Sequence, residues 1–382
     1  MNTFSIHPQI HFGPDALDRL KALKSRRTFV VADPFVVKSG AISMVTDRLA
    51  SAGIPCDVFS DVVPDPPIET VAAGVRALLA NEADYIVAIG GGSALDTAKL
   101  IREFAGQMAP SIARPQFIAI PTTSGTGSEV TSVAVVTDKA NQVKLPLTSD
   151  SLLPDEAILD VELVKTVPPV LTADTGMDVF THAVEACVST YASDFSDALA
   201  AKAIEIVGAY LLRSYSDASD LRARTKMHSA SCLAGLAFNA ASLGLNHGMA
   251  HALGGKFHIP HGRANAIVLP HVIEFNADLV QAAAGRCEGS RAAHRYLGVA
   301  RVLGLQTICP SMAIRALVNW TRFMMSEMKM PASIRETNVC SEAEYRDAIP
   351  AMAEAALKDR CTEGNPRNAT ADDVAQLYLK MW

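Results

Sequence analysis

YIVAIGGGSALDTAK, residues 85–99, decides the fold. Its first five residues are apolar without alternation, and a strand with no polar face is one buried on both faces, as in a parallel sheet covered by helices. Three glycines follow, and then a run that favours helix. Glycines let the backbone turn sharply and approach a ligand, while the start of the next helix offers free N–H groups and the positive end of its dipole to an anion such as a diphosphate. The spacing lacks the third glycine of G-x-G-x-x-G, so a plain tight turn stays open as an alternative.

Outward from this stretch the same units recur. RTFVVAD (27–33) and PQFIAIP (115–121) read as short buried strands, and IETVAAGVRALLANE (68–82) as an amphipathic helix between them. PTTSGTGSEVT (121–131), rich in hydroxyls and glycines directly after a strand, is a second candidate phosphate cradle. Asp33 closes its strand where a carboxylate can bind a ribose hydroxyl and repel a 2′-phosphate, which favours NAD over NADP; the alternative is a helix cap before Pro34. After Pro168-Pro169 the pattern changes to long Ala-, Leu- and Met-rich segments (173–190, 195–213, 223–238, 312–328) that read as helices. The expected organisation is an α/β dinucleotide-binding domain with a parallel sheet at 1–168 and an all-helical metal and substrate domain at 169–382.

Composition excludes several classes. A formal charge of −6 offers no basic face to nucleic acid or an anionic membrane, so neither is expected as a partner. Seven scattered cysteines (56, 187, 232, 287, 309, 340, 361), odd in number and without C-x-x-C spacing, read as reduced thiols of a cytoplasmic protein. The start MNTFSIHPQIHFG lacks a basic region followed by an apolar run, and no uncharged apolar stretch of about 18 residues occurs. An exported or membrane-spanning protein is therefore not expected.

The chemistry is placed by the histidines. Of ten, five fall between 247 and 271, and His182 stands four residues after Asp178 on an expected helix. Groups at i and i+4 project from one helix face about a turn apart, so one helix can supply two ligands. His247 and His251 repeat the spacing, and His261 follows Gly254, Gly255 and Pro260 on a segment able to turn back. A carboxylate with imidazoles suits iron(II) or zinc. Each pair alone also fits a surface hydrogen bond or two satisfied core histidines, and His258 and His271 read as structural, the latter as the opening of an apolar helix.

Taken together, GGGSALDTAK (90–99), PTTSGTGSEVT, LLPDEAILD (152–160), TGMDVFTHAVEA (175–186), SLGLNHGMAHALGGKFHIPHGRANA (242–266) and NPR (365–367) resemble the iron-dependent (group III) alcohol dehydrogenases. The resemblance covers nearly the whole chain. It implies metal ligation by Asp178, His182, His247 and His261, and a catalytic, non-ligand role for His251 near the nicotinamide. It implies dinucleotide contacts from Asp33, Gly91, Gly92, Ser93, Asp96, Thr122, Thr126 and Lys144, and puts Phe238 and Cys361 at the substrate pocket. Ala94 stands where many members carry proline, which loosens the loop without removing a donor. The implied cofactors are NAD(H) and Fe2+, with Zn2+ as the other metal, and the implied reaction interconverts short-chain primary alcohols and aldehydes, propanal with 1-propanol or acetaldehyde with ethanol. The uncharged run AFNAASLGL (237–245) favours a small apolar alkyl chain, whereas 1,3-propanediol, lactaldehyde and glycerol are alternatives that pocket polarity decides. A lyase resembling 3-dehydroquinate synthase is a rival of another class, opposed by a segment 242–261 whose only Lys or Arg is Lys256. A non-catalytic nucleotide or metal sensor is a further one, which NADH turnover eliminates. A homodimer or larger homo-oligomer is expected in the cytoplasm, with the lumen of a bacterial microcompartment and its lumen proteins as the finer location and partners.

Overall fold

The computed structural model describes residues 4–110, 113–139, 143–278 and 290–382, with backbone alone at Val143 and Lys144. The chain divides into two compact units, one up to Thr166 and one from Val167.

The first unit is built on β1 (Gln9–Phe12), β2 (Thr28–Ala32), β3 (Cys56–Phe59), β4 (Tyr85–Gly90), β5 (Gln116–Pro121) and β8 (Glu156–Leu159). These form one sheet in the order β1-β8-β5-β4-β2-β3, and every neighbouring pair is parallel. Successive side chains on a strand point to opposite faces, so each apolar run fills two cores at once. Phe29, Val31, Ile86, Ala88, Phe117 and Ala119 enter one core. Val30, Ala32, Val87, Ile89, Ile118 and Ile120 enter the other. Helices α3 (Ile68–Asn81) and α4 (Gly92–Met108) close the first face with Val71, Val75, Leu95 and Ile101. Helices α1 (Pro34–Lys38) and α2 (Ser43–Ser51) and a 3₁₀ turn (Ala16–Ala22) close the second with Val36, Val45, Leu49, Leu17 and Leu20. Full burial of each larger aliphatic or aromatic side chain contributes about 1.5–3 kcal/mol, which is why no polar residue interrupts the central strands.

Strand order reverses between β2 and β4: the chain leaves β2 toward β3 on one side and leaves β4 toward β5 on the other. Open α/β sheets bind ligands at the carboxyl ends of the strands where this reversal occurs. Here those ends are Asp33, after β2, and Gly91-Gly92, after β4, brought level by the pairing of Ala32 with Ile89. Strands β1, β3 and β8 were not singled out from sequence, and neither was an antiparallel ribbon of β6 (Val133–Asp138) and β7 (Val143–Thr148). Pro146 within VKLPLT argues against a central strand, and a two-stranded ribbon admits it because both strands are edges.

The second unit contains helices and no strand among the described residues. Helix α5 (Pro169–Val188) follows Pro168, whose extended backbone and the proline at the first helical position set the start. From Thr172 on it is buried nearly all round, with Thr175 as the exception. Around it lie α6 (Asp194–Ser216), α7 (Leu221–Ala241), α8 (Leu245–Phe257) and α9 (His261–Ala277). Then come α10 (Arg291–Val302), α11 (Pro310–Glu327), α12 (Ile334–Thr337), α13 (Glu342–Lys358) and α14 (Ala371–Leu379). His271 does not open a helix, contrary to expectation: α9 begins at His261 and continues past Pro270. His258 ends α8 in the left-handed region and is exposed.

Candidate metal centre and nucleotide crevice

Helix α5 presents Asp178 and His182 on one face, both buried. The face carries a third polar group three residues on, Glu185, at 3% exposure. His247 comes from α8 and His261 from the first position of α9. One ligand atom from each of Asp178, His182, His247 and His261 lies within 4.8 Å of the others. The imidazoles of His182 and His247 stack with centroids 4.6 Å apart. His261 remains 42% exposed while the other three are buried, so the cluster has one open side.

Residues that sequence reading missed hold the donors in place. Asn265, four residues after His261, donates through Nδ2 to Asp178 Oδ1 at 2.7 Å and reaches Nε2 of both His247 and His261 at 3.1 Å. Its own Oδ1 accepts from Asn246 at 2.8 Å. Glu185 takes the Nδ1 side of His247, which leaves Nε2 as the ring nitrogen that faces the cluster. Burial alone would lower His247, but the carboxylates of Glu185 and Asp178 outweigh it and push the pKa up to about 9. Burial likewise opposes the charge of Asp178, and the imidazoles of His182, His261 and His247 reverse that, leaving it well below the usual range. His182 is driven down to about 3, chiefly by burial, and is neutral at pH 7.

The scaffold is tight. Arg263 binds Asp174 through two hydrogen bonds of 3.0 and 3.2 Å between α9 and α5. A Cβ on Gly262 would stand 2.0 Å from the Asp174 carbonyl oxygen, so only glycine allows the two helices this approach. Helix α8 starts at Gly244, which has no capping side chain. Distant residues substitute: Leu245 N donates to Asn365 Oδ1 at 3.1 Å and Asn246 N to Glu185 Oε1 at 2.8 Å. Asn365 is in turn paired with Asn276 by two amide hydrogen bonds of 2.8 and 3.0 Å.

The other expected residues sit around the cluster. His251 is on α8, its ring stacked on His261 at 5.2 Å, and its Nδ1 bonds Asp359 Oδ2 at 2.8 Å. Phe238 packs on the His182 ring at 4.5 Å. Cys361 lies near His251 and Asp359 in a 3₁₀ turn, Arg360–Gly364.

In the first unit, Gly91 caps α4 and Gly92 and Ser93 open it. Gly90 has φ +155°, and a Cβ there would meet Asp33 Oδ2 at 2.7 Å and Ala94 Cβ at 2.6 Å. Asp33 does cap the following turn, accepting from Val36 N through Oδ1 at 2.9 Å, while Oδ2 faces Gly90. Thr122 N bonds Gly90 O at 3.0 Å and joins the two loops. Thr126 lies against Gly92, and Asp96 accepts from Ser128 Oγ at 2.6 Å and Val135 N at 3.1 Å. The side chain of Lys144 lies outside the described residues.

Both units have counterparts among known proteins. Residues 8–161 match the family described as iron-containing alcohol dehydrogenase, and residues 172–382 match its C-terminal part. The chain belongs to the iron-containing alcohol dehydrogenase family and is an oxidoreductase. Among its relatives it is 43% identical over 386 residues to 1-propanol dehydrogenase PduQ of Citrobacter freundii, with 100% of both chains covered. It is 37% identical over 392 residues to the NADPH-dependent butanol dehydrogenase of Clostridium saccharobutylicum, covering 99% of this chain and 97% of the relative. The crystal structure of sulfoacetaldehyde reductase from Bifidobacterium kashiwanohense in complex with NAD+ matches with a TM-score of 0.85, 28% identity and coverage of 100% and 98%.

The close approach at Gly262 gives a test of the scaffold. Gly262→Ala forces α9 away from α5, because the clash is with backbone and no rotamer relieves it. Metal content per chain after dialysis and the melting temperature should both fall; overpacking of this kind commonly costs about 1–3 kcal/mol.

Proposed function

We propose that the protein interconverts short-chain primary alcohols and aldehydes, propanal with 1-propanol or acetaldehyde with ethanol, using NAD(H) and an iron(II) ion held by Asp178, His182, His247 and His261. The observation that carries this reading is the convergence of one carboxylate and three imidazoles within 4.8 Å. The donor set fits iron(II), and equally accommodates zinc: three of its ligand atoms are turned toward one amide group, and buried His182 Nδ1 has no hydrogen-bond partner among the described residues. When bound, iron(II) supplies a Lewis acid and NAD(H) supplies or accepts the hydride.

The protein's own residues do the rest. Glu185 fixes the tautomer of His247 and Asn265 aligns Asp178, so the donors are positioned before any ion arrives. The exposed edge at His261 is where an alcohol enters. His251 turns Nδ1 to Asp359, and its Nε2 therefore moves the proton between the substrate oxygen and solvent. Phe238, packed on His182, and Cys361 bound the alkyl side of the substrate. Asp33, Gly91, Gly92, Ser93, Thr122, Thr126 and Lys144 bind the dinucleotide, with Asp33 Oδ2 on the adenosine ribose. Asp96, whose oxygens already accept from Ser128 and Val135, contributes by shaping the loop that follows β5. The names of the propanol and butanol dehydrogenase relatives support the substrate class. A homodimer or larger assembly in the cytoplasm, with a bacterial microcompartment as the finer location, belongs to this proposal on sequence resemblance alone.

The direct test is NADH oxidation by protein reconstituted anaerobically with iron(II), across C2 to C4 aldehydes and their hydroxylated analogues. The highest kcat/KM is expected with propanal or acetaldehyde; preference for hydroxyaldehydes would move the substrate to the diols, and inertness to all would refute the reading. The roles within the cluster separate in two variants. His261→Ala should lose metal by elemental analysis, whereas His251→Ala should keep it and turn over about 10²–10⁴ times more slowly. Cofactor choice is tested at Asp33: Asp33→Gly should raise kcat/KM with NADPH relative to NADH by about 10–100-fold.

A further inference from the structure

His251, Asp359 and Cys361 make a second convergence of donors beside the first. One nitrogen, one carboxylate oxygen and one sulfur lie within 4.8 Å of one another. Asp359 Oδ2 is 2.8 Å from His251 Nδ1, and Asp359 Oδ1 accepts from the Cys361 backbone N–H at 2.8 Å. The elements that carry them are locked together. A Cβ on Gly248, one turn before His251 on α8, would stand 2.8 Å from Ala356 O on α13, and Thr362 Oγ1 bonds that same carbonyl at 2.6 Å. His251 and Asp359 expose 43% and 22% of their side chains, so an ion reaches the cluster from solvent.

The two donor sets differ in kind. The first has one carboxylate and three imidazoles; the second has one carboxylate, one imidazole and one sulfur. Thiolate selects zinc, cadmium and copper(I), while the imidazole and carboxylate set suits iron(II) as well. Burial keeps the Cys361 thiol protonated, well above its ordinary pKa, and Asp359 stays anionic, because the bonds from His251 and Cys361 outweigh the opposing effect of burial. A soft cation supplies the positive charge the sulfur lacks, and the thiol proton leaves to solvent as the metal–sulfur bond forms.

We propose that His251, Asp359 and Cys361 bind a thiophilic cation of the zinc class, at a site separate from that of Asp178, His182, His247 and His261. Occupancy also engages the imidazole of His251, so binding at this second site inhibits the iron-loaded enzyme even where its iron is retained. That inhibition rests on the proton-transfer role assigned to His251; the binding itself does not.

The test uses the full chain loaded anaerobically with iron(II) and dialysed against cadmium as the probe. Cadmium and iron per chain, the ultraviolet thiolate-to-cadmium charge-transfer band, and NADH turnover are followed together. About one cadmium bound with iron retained, the band present, and turnover reduced more than about tenfold is the expected result. Cys361→Ala should lose both the cadmium and the band, and its own turnover should no longer respond to cadmium. Asp359→Asn, which keeps the thiol and the shape of the side chain, should weaken cadmium binding by about 10–100-fold. Cadmium that replaces iron one for one, that fails to bind, or whose band survives Cys361→Ala would overturn the site. Lack of turnover with any aldehyde before cadmium is added would count against the proposed function and leave the binding result readable.

Discussion

The second unit is organised by the need to keep ionisable groups inside an apolar helix bundle. Asp178, Glu185, His182 and His247 are all less than 5% exposed, and an isolated charge in such surroundings is far too costly to tolerate. Pairing His247 with Glu185 on one ring nitrogen and with the cluster on the other divides the charge between two carboxylates. Asn265 then turns one amide toward Asp178 Oδ1 and toward Nε2 of His247 and His261. The close approach of α9 to α5 at Gly262 serves that arrangement by bringing His261 and Asn265 up to Asp178.

Helices α5, α6, α7 and α11 were legible because their signals are local. The Ala-, Leu- and Met-rich runs beyond Pro168 have no competing strand pattern, and Asp178 with His182 declares its helical spacing directly. Asn265 and Glu185 were missed although a signal existed: Asn265 is four residues from His261 and Glu185 three from His182, each on the same helical face. The dependence of His251 on Asp359 and of α8 on Asn365 was illegible for a different reason. Those partners are 108 and 120 residues apart in sequence, and no periodicity reports contacts of that range.

The sheet was read from its period. Continuous apolar runs separated by helices mean a sheet buried on both faces, and the alternate filling of two cores is how the structure realises it. Asp33 shows where residue type stops being decisive. Ribose binding and turn capping are compatible, because Oδ1 is committed to Val36 N while Oδ2 lies toward Gly90. The β6–β7 ribbon escaped notice because a proline weighs heavily against a strand until edge pairing is known.

The borrowed cap of α8 has a consequence for the order of events during synthesis. The carboxylate and imidazole of α5 leave the ribosome nearly 190 residues before Asn365, which steadies the first turn of the helix bearing His247. Until then that turn has Glu185 but not its second acceptor, and the donors exist without their final geometry. The geometry of the donor cluster thus belongs to the finished chain rather than the growing one, because the bond that steadies the first turn of α8 waits for Asn365.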